Sequence, residues 1–228
     1  MNVRFDARAA LIDLDGTLVD SLPDIANAIN AMRGDLGYPA MAVEQIATYV
    51  GKGADVLVHR TLTESMEAQA AAHLFARGKQ SFYRHYAAVN GNASRVYAGT
   101  PEALQNLRSK DIKLACVTNK PRQFTVQLLE RIGLHTAFGA IVTGDDTHNN
   151  KPHAEPMLRA CELLGVAVTD AVVIGDSDND VLSARAAGCR VIAVETGYNE
   201  GRSVCELDAD AIVPSLLHAA RLIELRLH

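Results

Sequence analysis

Asp13 and Asp15 stand on either side of one leucine and are followed at once by Gly16 and Thr17. Residues 9–14 read as a short buried strand, apolar but for Asp13, in which side chains two residues apart share a face. The two carboxylates thus emerge together where Gly16 lets the chain turn. Like charges in one pocket repel and shift each other's pKa unless a cation or an acid/base task holds them there. The pair points to chemistry, with a metal as its natural partner.

Two more polar groups follow apolar runs: Thr118-Asn119-Lys120, and Asp176-Ser177-Asp178-Asn179-Asp180. In open parallel sheets, ligands bind beyond the carboxyl ends of the strands, so the three strand ends converge on one expected site. Asp176-x-Asp178-x-Asp180 begins like an EF-hand calcium loop, but Val181 stands where that loop needs Gly and Ala187 where it needs Glu. A few carboxylates at a strand end, completed by water and substrate, suit Mg²⁺ better. Asp176 is a candidate metal ligand, against the plainer reading of an acidic turn capping a helix, and Asp180 a candidate for a direct or water-mediated role. Carboxylates around a phosphate need more positive charge than the metal alone brings. Lys151, stiffened by Pro152, can present a compact cation to a phosphoryl oxygen, although Lys-Pro by itself is also ordinary surface loop. Thr118 and Asn119 can donate hydrogen bonds to phosphoryl oxygens or can simply form a polar turn and cap. Lys120 reads as a solvated side chain of that turn.

The elements that must hold these groups follow from periodicity. Leu22, Ile25, Ala26, Ile29, Met32 and Leu36 recur at helical steps after Pro23, and the segment ends at Gly37-Tyr38-Pro39. Further helices are expected over 43–49, 54–62 and 67–89, with no strand between them. From about residue 97 the texture alternates: helices over 101–108, 123–132, 155–164 and 180–187, strands over 112–118, 140–143, 171–175 and 190–194, and a closing helix over 216–227. Alternation of this kind implies βαβ crossovers and a parallel sheet. The expected organisation is a core of residues 1–21 and 95–228 with an all-helical insert over 22–94, hinged at Ser21 and at 95–99.

Composition sets the limits. At 228 residues, 48% hydrophobic and 21% charged, the chain is an ordinary globular protein. Its net charge of −5 and lack of a basic stretch speak against a nucleic-acid partner. The first residues lack the apolar core of a signal peptide, and no apolar run is long enough for a membrane span, so the expected location is the cytoplasm. Cys116, Cys161, Cys189 and Cys205 are scattered without a C-x-x-C pattern and read as reduced thiols.

Residues 13–21 (Asp-Leu-Asp-Gly-Thr-Leu-Val-Asp-Ser), Thr118-Asn119-Lys120, Lys151-Pro152 and residues 175–180 (Gly-Asp-Ser-Asp-Asn-Asp) together resemble, in order and spacing, the four motifs of the haloacid dehalogenase superfamily of phosphatases. The resemblance covers nearly the whole chain. It implies an α/β fold with a Rossmann-like parallel sheet core, and it makes the insert similar to the family's small α-helical cap. It also implies that Asp13 attacks phosphorus to give an aspartyl-phosphate while Asp15 protonates the leaving oxygen and then activates water. Mg²⁺ would be held by the Asp13 side chain, the Asp15 backbone carbonyl and Asp176, with Asp180 beside them, and Thr118 and Lys151 would steady the transferring group. True dehalogenases of the superfamily lack the second Asp, so Asp15 implies a phosphate ester.

Residues 49–58, Asn150-Lys151-Pro152-His153 and Thr196-Gly197-Tyr198-Asn199 are similar to bacterial phosphoglycolate phosphatases, which implies 2-phosphoglycolate as substrate. Gly51, Lys52 and Gly53 can offer backbone N–H groups and a cation to a small carboxylate, or can be a helix-initiating turn with a solvated lysine. Ala154, where a second Pro is usual, and the loose hinge Ala98-Gly99-Thr100 depart from that pattern. They leave open sugar phosphates such as N-acetylmuramate 6-phosphate, pyrophosphate, and mutase chemistry of the β-phosphoglucomutase type. A phosphorelay receiver is the non-enzymatic alternative, but receivers are shorter and lack the insert. The expected partner is a small phosphorylated metabolite, and the expected state a monomer or homodimer.

Overall fold

The computed structural model describes residues 4–226. Its strands are β1 (Phe5–Ala7), β2 (Ala9–Ile12), β3 (Val19–Asp20), β4 (Arg95–Val96), β5 (Lys113–Val117), β6 (Ala140–Val142), β7 (Ala171–Gly175), β8 (Arg190–Val194), β9 (Ala211–Val213) and β10 (Ile223–Leu225). The helices are α1 (Leu22–Asp35), α2 (Val43–Tyr49), α3 (Ala54–Thr63), α4 (Ala72–Val89), α5 (Thr100–Ser109), α6 (Arg122–Arg131), α7 (Glu155–Leu164), α8 (Asp178–Ala187) and α9 (Leu216–Leu222).

The central sheet has the order β6-β5-β2-β7-β8-β9, and every pairing in it is parallel. A parallel sheet needs both faces covered, and the strand sequences supply two apolar faces by simple alternation. Ala10 and Ile12 pack toward α5, α6 and α9, where Leu104, Leu128 and Leu216 complete one core. Ala9 and Leu11 pack the other way, against Met157 of α7 and Val181 of α8. The chain runs from β2 outward through β5 to β6, then returns to the opposite side of β2 for β7. That reversal is the topological switch point of the sheet, and its carboxyl edge carries the residue after β2, Asp13.

Helices α1 to α4 lie between β3 and β4 in sequence and have a separate apolar cluster that includes Ile29, Met32, Ile46, Val58 and Phe82. Phe124 of α6 joins this cluster, so the helices rest on the sheet side of the molecule as well as on one another. The chain leaves and returns through a short antiparallel ribbon in which Val19 faces Val96 and Asp20 faces Arg95. Just beyond, the wholly buried Asp24 carboxylate accepts hydrogen bonds from the backbone N–H groups of Gly91, Ala93 and Ser94 and from the Ser94 hydroxyl. One side chain at the start of the insert thereby fixes its end.

Three sequence expectations are corrected. The helix expected over 67–89 begins at Ala72, because Glu64 adopts a left-handed conformation that ends α3 and the Ser65 hydroxyl accepts from the N–H groups of Glu67 and Ala68 in a turn. The closing helix expected over 216–227 stops at Leu222, and the chain becomes β10, which pairs in parallel with β1; Leu227 lies outside the described residues. The helix expected from Asp180 starts at Asp178, with the Ser177 side chain and Asp180 forming a reciprocal cap.

Asp24→Ala would strand three backbone donors, that of Ser94 buried and those of Gly91 and Ala93 partly so, at about 1–3 kcal/mol each. The expected outcome is a loss of roughly 3 kcal/mol or more in unfolding free energy, read from urea denaturation followed by circular dichroism. A loss below about 1 kcal/mol would reject the clasp.

Candidate active site

The sheet delivers the sequence-distant groups to one edge. The Asp13 N–H extends the ladder by bonding to the Ile174 carbonyl, and the Thr118 N–H does the same to Val142, at 2.9 Å each. Asp13, Asp176 and Asp180 each offer a carboxylate oxygen, and these oxygens lie within 4.8 Å of one another. The Lys151 ammonium sits against them, 2.7 Å from Asp13 Oδ1 and 2.7 Å from Asp180 Oδ1. It also donates to the Val117 carbonyl at 2.9 Å.

Electrostatics follow from that crowding. Burial raises the Asp13 pKa, the Asp180 charge raises it further, and Lys151 pulls it back. Asp176 is pushed well up by burial and by the Asp13 and Asp180 carboxylates. For Lys151, burial acts downward but is outweighed by Asp13 and Asp180, so the ammonium is held charged. In their ionised forms, which a bound cation would favour, three carboxylates against one ammonium leave two negative charges in the cluster. An all-oxygen donor set with that deficit fits a hard divalent cation such as Mg²⁺.

The backbone makes room for the cluster. A Cβ on Gly16 would lie 2.5 Å from Asp176 Oδ2 and one on Gly197 only 2.1 Å from it, and both glycines have φ near +95°. Asp176 is held between them by the Thr17 hydroxyl at 2.9 Å and the Tyr198 N–H at 3.0 Å. Asp180 is fully buried, accepts from the Ser177 N–H and hydroxyl through Oδ2, and gives Oδ1 to Lys151. It orients the lysine as much as it faces the cluster.

Asp15 belongs to a different environment. Its carboxylate accepts from the Ser21 hydroxyl and from the Lys120 ammonium, which is 2.9 and 3.0 Å from the two oxygens. The side chain of Asp15 is thus outside the metal-type cluster, and only its backbone carbonyl stays available for the role the resemblance gives it.

Three expectations about side chains change. Lys120 is buried on Asp15 and on the Tyr86 hydroxyl, 2.6 Å away, not solvated; its apolar stem lets the turn fold it inward. Asn119 lines the cavity but spends its amide on backbone: Nδ2 donates to the Gly51 and Lys151 carbonyls and Oδ1 accepts from the Lys151 N–H. It braces two loops and has no amide hydrogen left for a phosphoryl oxygen. Lys52 does not line the cavity, because Glu200 draws its ammonium to 3.3 Å. Gly51 and Gly53 do line it, together with Asp13, Asp15, Thr118 and Lys151. His153 is exposed, and its carbonyl accepts from the Ser183 hydroxyl.

Residues whose contacts the sequence did not show complete the arrangement. The Tyr198 hydroxyl accepts from the N–H groups of Ser21 and Leu22 at 3.1 Å and donates to Asp20 at 2.8 Å, so the loop touching Asp176 also grips the start of the helical insert. Glu200, two residues on, pairs with Arg60 of α3 at 2.8 Å. Tyr86 comes from the last turn of α4, where a lone polar tip on an apolar face looks like core. The free thiols are Cys116, Cys161 and Cys189, all buried, and the exposed Cys205.

A parallel α/β sheet whose carboxyl edge gathers paired aspartates, a buried lysine and an acidic cluster is an arrangement that can hold a divalent cation beside an anionic group. The haloacid dehalogenase-like hydrolase family model matches residues 10–194, and the chain belongs to that family. It is 46% identical over 216 residues to a phosphoglycolate phosphatase of Thiobacillus denitrificans, covering 95% of both chains. It is 43% identical over 224 residues to one of Nitrosospira multiformis, covering 98% of this chain and 99% of the relative. Among solved structures, a predicted phosphoglycolate phosphatase from Haemophilus somnus superposes with a TM-score of 0.89 at 31% identity, covering 95% of this chain and 97% of that one. No helix of the described residues is long and apolar enough to cross a membrane.

Gly197→Ala is the sharpest test of this geometry, since the added methyl must displace Asp176. A misplacement near 1 Å can cost on the order of 10²-fold in rate. Hydrolytic kcat/KM is expected to fall by about that factor, with a thermal unfolding midpoint that stays within several degrees of the parent; unchanged kinetics would show that Asp176 is not positioned by this contact.

Proposed function

We propose that the chain is a Mg²⁺-dependent phosphomonoester hydrolase that works through an aspartyl-phosphate and converts 2-phosphoglycolate to glycolate and phosphate. The observation that carries this reading is the division of the two motif carboxylates. Asp13 faces the acidic cluster and Lys151, whereas Asp15 faces Ser21 and Lys120 across the same cavity. Two carboxylates in contrasting surroundings are suited to different tasks. The substrate assignment draws its support from near full-length similarity to the two phosphoglycolate phosphatases.

In this reading an Asp13 oxygen attacks phosphorus, the ester P–O bond breaks, and the leaving alkoxide takes a proton from Asp15. Asp15 then accepts a proton from water as the water oxygen attacks the acyl phosphate, which releases phosphate and restores the Asp13 carboxylate. Lys151 and the Thr118 hydroxyl meet the charge on the phosphoryl oxygens. Asp180 and Asn119 hold Lys151 and its loop in place. Asp13, Asp176 and the Asp15 carbonyl would hold Mg²⁺, with Asp180 beside them. Mg²⁺, when bound, supplies the charge that lets an anionic nucleophile approach an anionic ester. Residues 22–94 act as a cap over a core of residues 1–21 and 95–228, in a cytoplasmic enzyme whose partner is a small phosphorylated metabolite.

Free-phosphate release should favour 2-phosphoglycolate over a hexose 6-phosphate, N-acetylmuramate 6-phosphate and pyrophosphate. It should vanish with EDTA and return with Mg²⁺. A preference for a bulky sugar phosphate would sink the substrate while sparing the mechanism. Sugar bisphosphate in place of free phosphate would indicate a mutase.

Asp13→Asn is nearly isosteric and replaces the nucleophile with a poor one. Turnover is expected to drop to less than about a thousandth of the parent rate, with the circular dichroism spectrum and melting cooperativity retained. Turnover within tenfold of the parent would exclude a covalent role.

A further inference from the structure

Beside the acidic cluster, the cavity has a second polar feature that the mechanism leaves unused. Tyr86 projects from α4 and lines the cavity. Its ring is held by a stacked contact with Phe82 at 5.2 Å and an edge contact with Phe124 at 4.8 Å. Rigid, two-torsion aromatic side chains lose little entropy when they bind. The phenol oxygen accepts from the Lys120 ammonium at 2.6 Å, so the oxygen is already engaged as an acceptor. Among the described residues the phenol hydrogen has no acceptor of its own. Burial raises the Tyr86 pKa, so the hydroxyl keeps that hydrogen at neutral pH.

The rest of this half of the cavity is apolar, with Ile25, Val50, Leu57 and Phe124 as its walls. A polyhydroxyl leaving group would place hydroxyls against these walls without partners, at about 1–3 kcal/mol for each group left unpaired. A short leaving group with one terminal acid meets apolar surface along its carbon and one polar post at its end. Donation by a phenol that itself accepts from an ammonium is strengthened by that contact, as in any chain of hydrogen bonds.

We propose that Tyr86, braced by Lys120, is the specificity-determining donor that receives the carboxylate of the leaving alcohol. This rests on the phosphoglycolate reading above and deepens it: the enzyme would read the acid group through a residue of the helical insert, on the same ammonium that touches Asp15. Selectivity and the seating of α4 over the cavity would then be one event.

The test compares 2-phosphoglycolate with ethyl phosphate, which has the same ester and a methyl in place of the carboxylate. The parent enzyme should favour 2-phosphoglycolate in kcat/KM. In Tyr86→Phe that preference should shrink at least tenfold, mainly because the acid-bearing ester binds more weakly and its KM rises. Lys120→Gln is the second variant and should shrink the same ratio. Calorimetric titration of both compounds into Asp13→Asn and Asp13→Asn/Tyr86→Phe should show the same loss in binding without turnover. A preference that survives in both variants overturns the subsite alone, and an equal fall for both substrates overturns it in favour of a purely structural role. A parent enzyme that does not distinguish the two compounds overturns the substrate assignment and the subsite together.

Discussion

The Lys151 ammonium, placed between Asp13 and Asp180 at the carboxyl edge of the sheet, is the contact on which the rest of the site depends. Three carboxylate oxygens within 4.8 Å of one another repel strongly. At an effective dielectric constant near 20, each such pair costs about 3 kcal/mol. Nothing in a strand end would hold that arrangement by itself. The surrounding sequence supplies what does: Ser177 and the α8 N-terminus satisfy Asp180, Thr17 and the Tyr198 N–H satisfy Asp176, and Asn119 spends its whole amide on the Lys151 loop. Gly16 and Gly197 are the corresponding constraint in space, because any side chain at either position would occupy the place of the Asp176 carboxylate.

The same charges connect the sheet to the inserted helices. Residues 197–200 touch Asp176 through the Tyr198 N–H, the start of α1 through the Tyr198 hydroxyl, and α3 through Glu200 and Arg60. On the opposite side of the cavity, Lys120 joins Asp15 to Tyr86 of α4. The helical insert is therefore tied to the Asp176 and Asp15 carboxylates by polar contacts as well as to the core by the apolar packing of Phe124. A displacement of the helices that broke these contacts would expose a buried ammonium and a buried phenol.

Much of this was legible in the chain. Long, strongly periodic elements such as α1 and α7 and the continuous apolar runs of β2, β5, β7 and β8 gave the parallel sheet and the point where the insert enters. The carboxylates announced themselves by type and spacing, since paired aspartates after an apolar run have few structural uses. What stayed hidden falls into two kinds. Strands of two or three residues, β1, β3, β4, β9 and β10, are too short to express a period and exist because a partner strand is nearby. Lys120, Tyr86 and Tyr198 are ordinary residues by local pattern, and their roles arise from groups 34 to 178 positions away in sequence. Asn119 illustrates the limit well: its position at a strand end was readable, whereas the direction of its amide depended on where the 151 loop crossed it.

In the proposed reading the charge balance gives a divalent cation an electrostatic role. In their ionised forms Asp13, Asp176 and Asp180 carry three negative charges and Lys151 beside them returns one positive charge, while Lys120 is spent on Asp15. The cavity thus presents a net two negative charges to an incoming phosphate dianion, and its low-dielectric walls weaken the screening that water would provide. Neither lysine can be redirected wholly to the substrate, because each is the counter-ion of a carboxylate that would otherwise be buried unpaired. A divalent ion cancels the deficit without displacing either lysine. In the proposed reading the part played by Mg²⁺ is therefore electrostatic before it is chemical: the charge balance that admits an anionic ester to Asp13 would be completed from outside the chain.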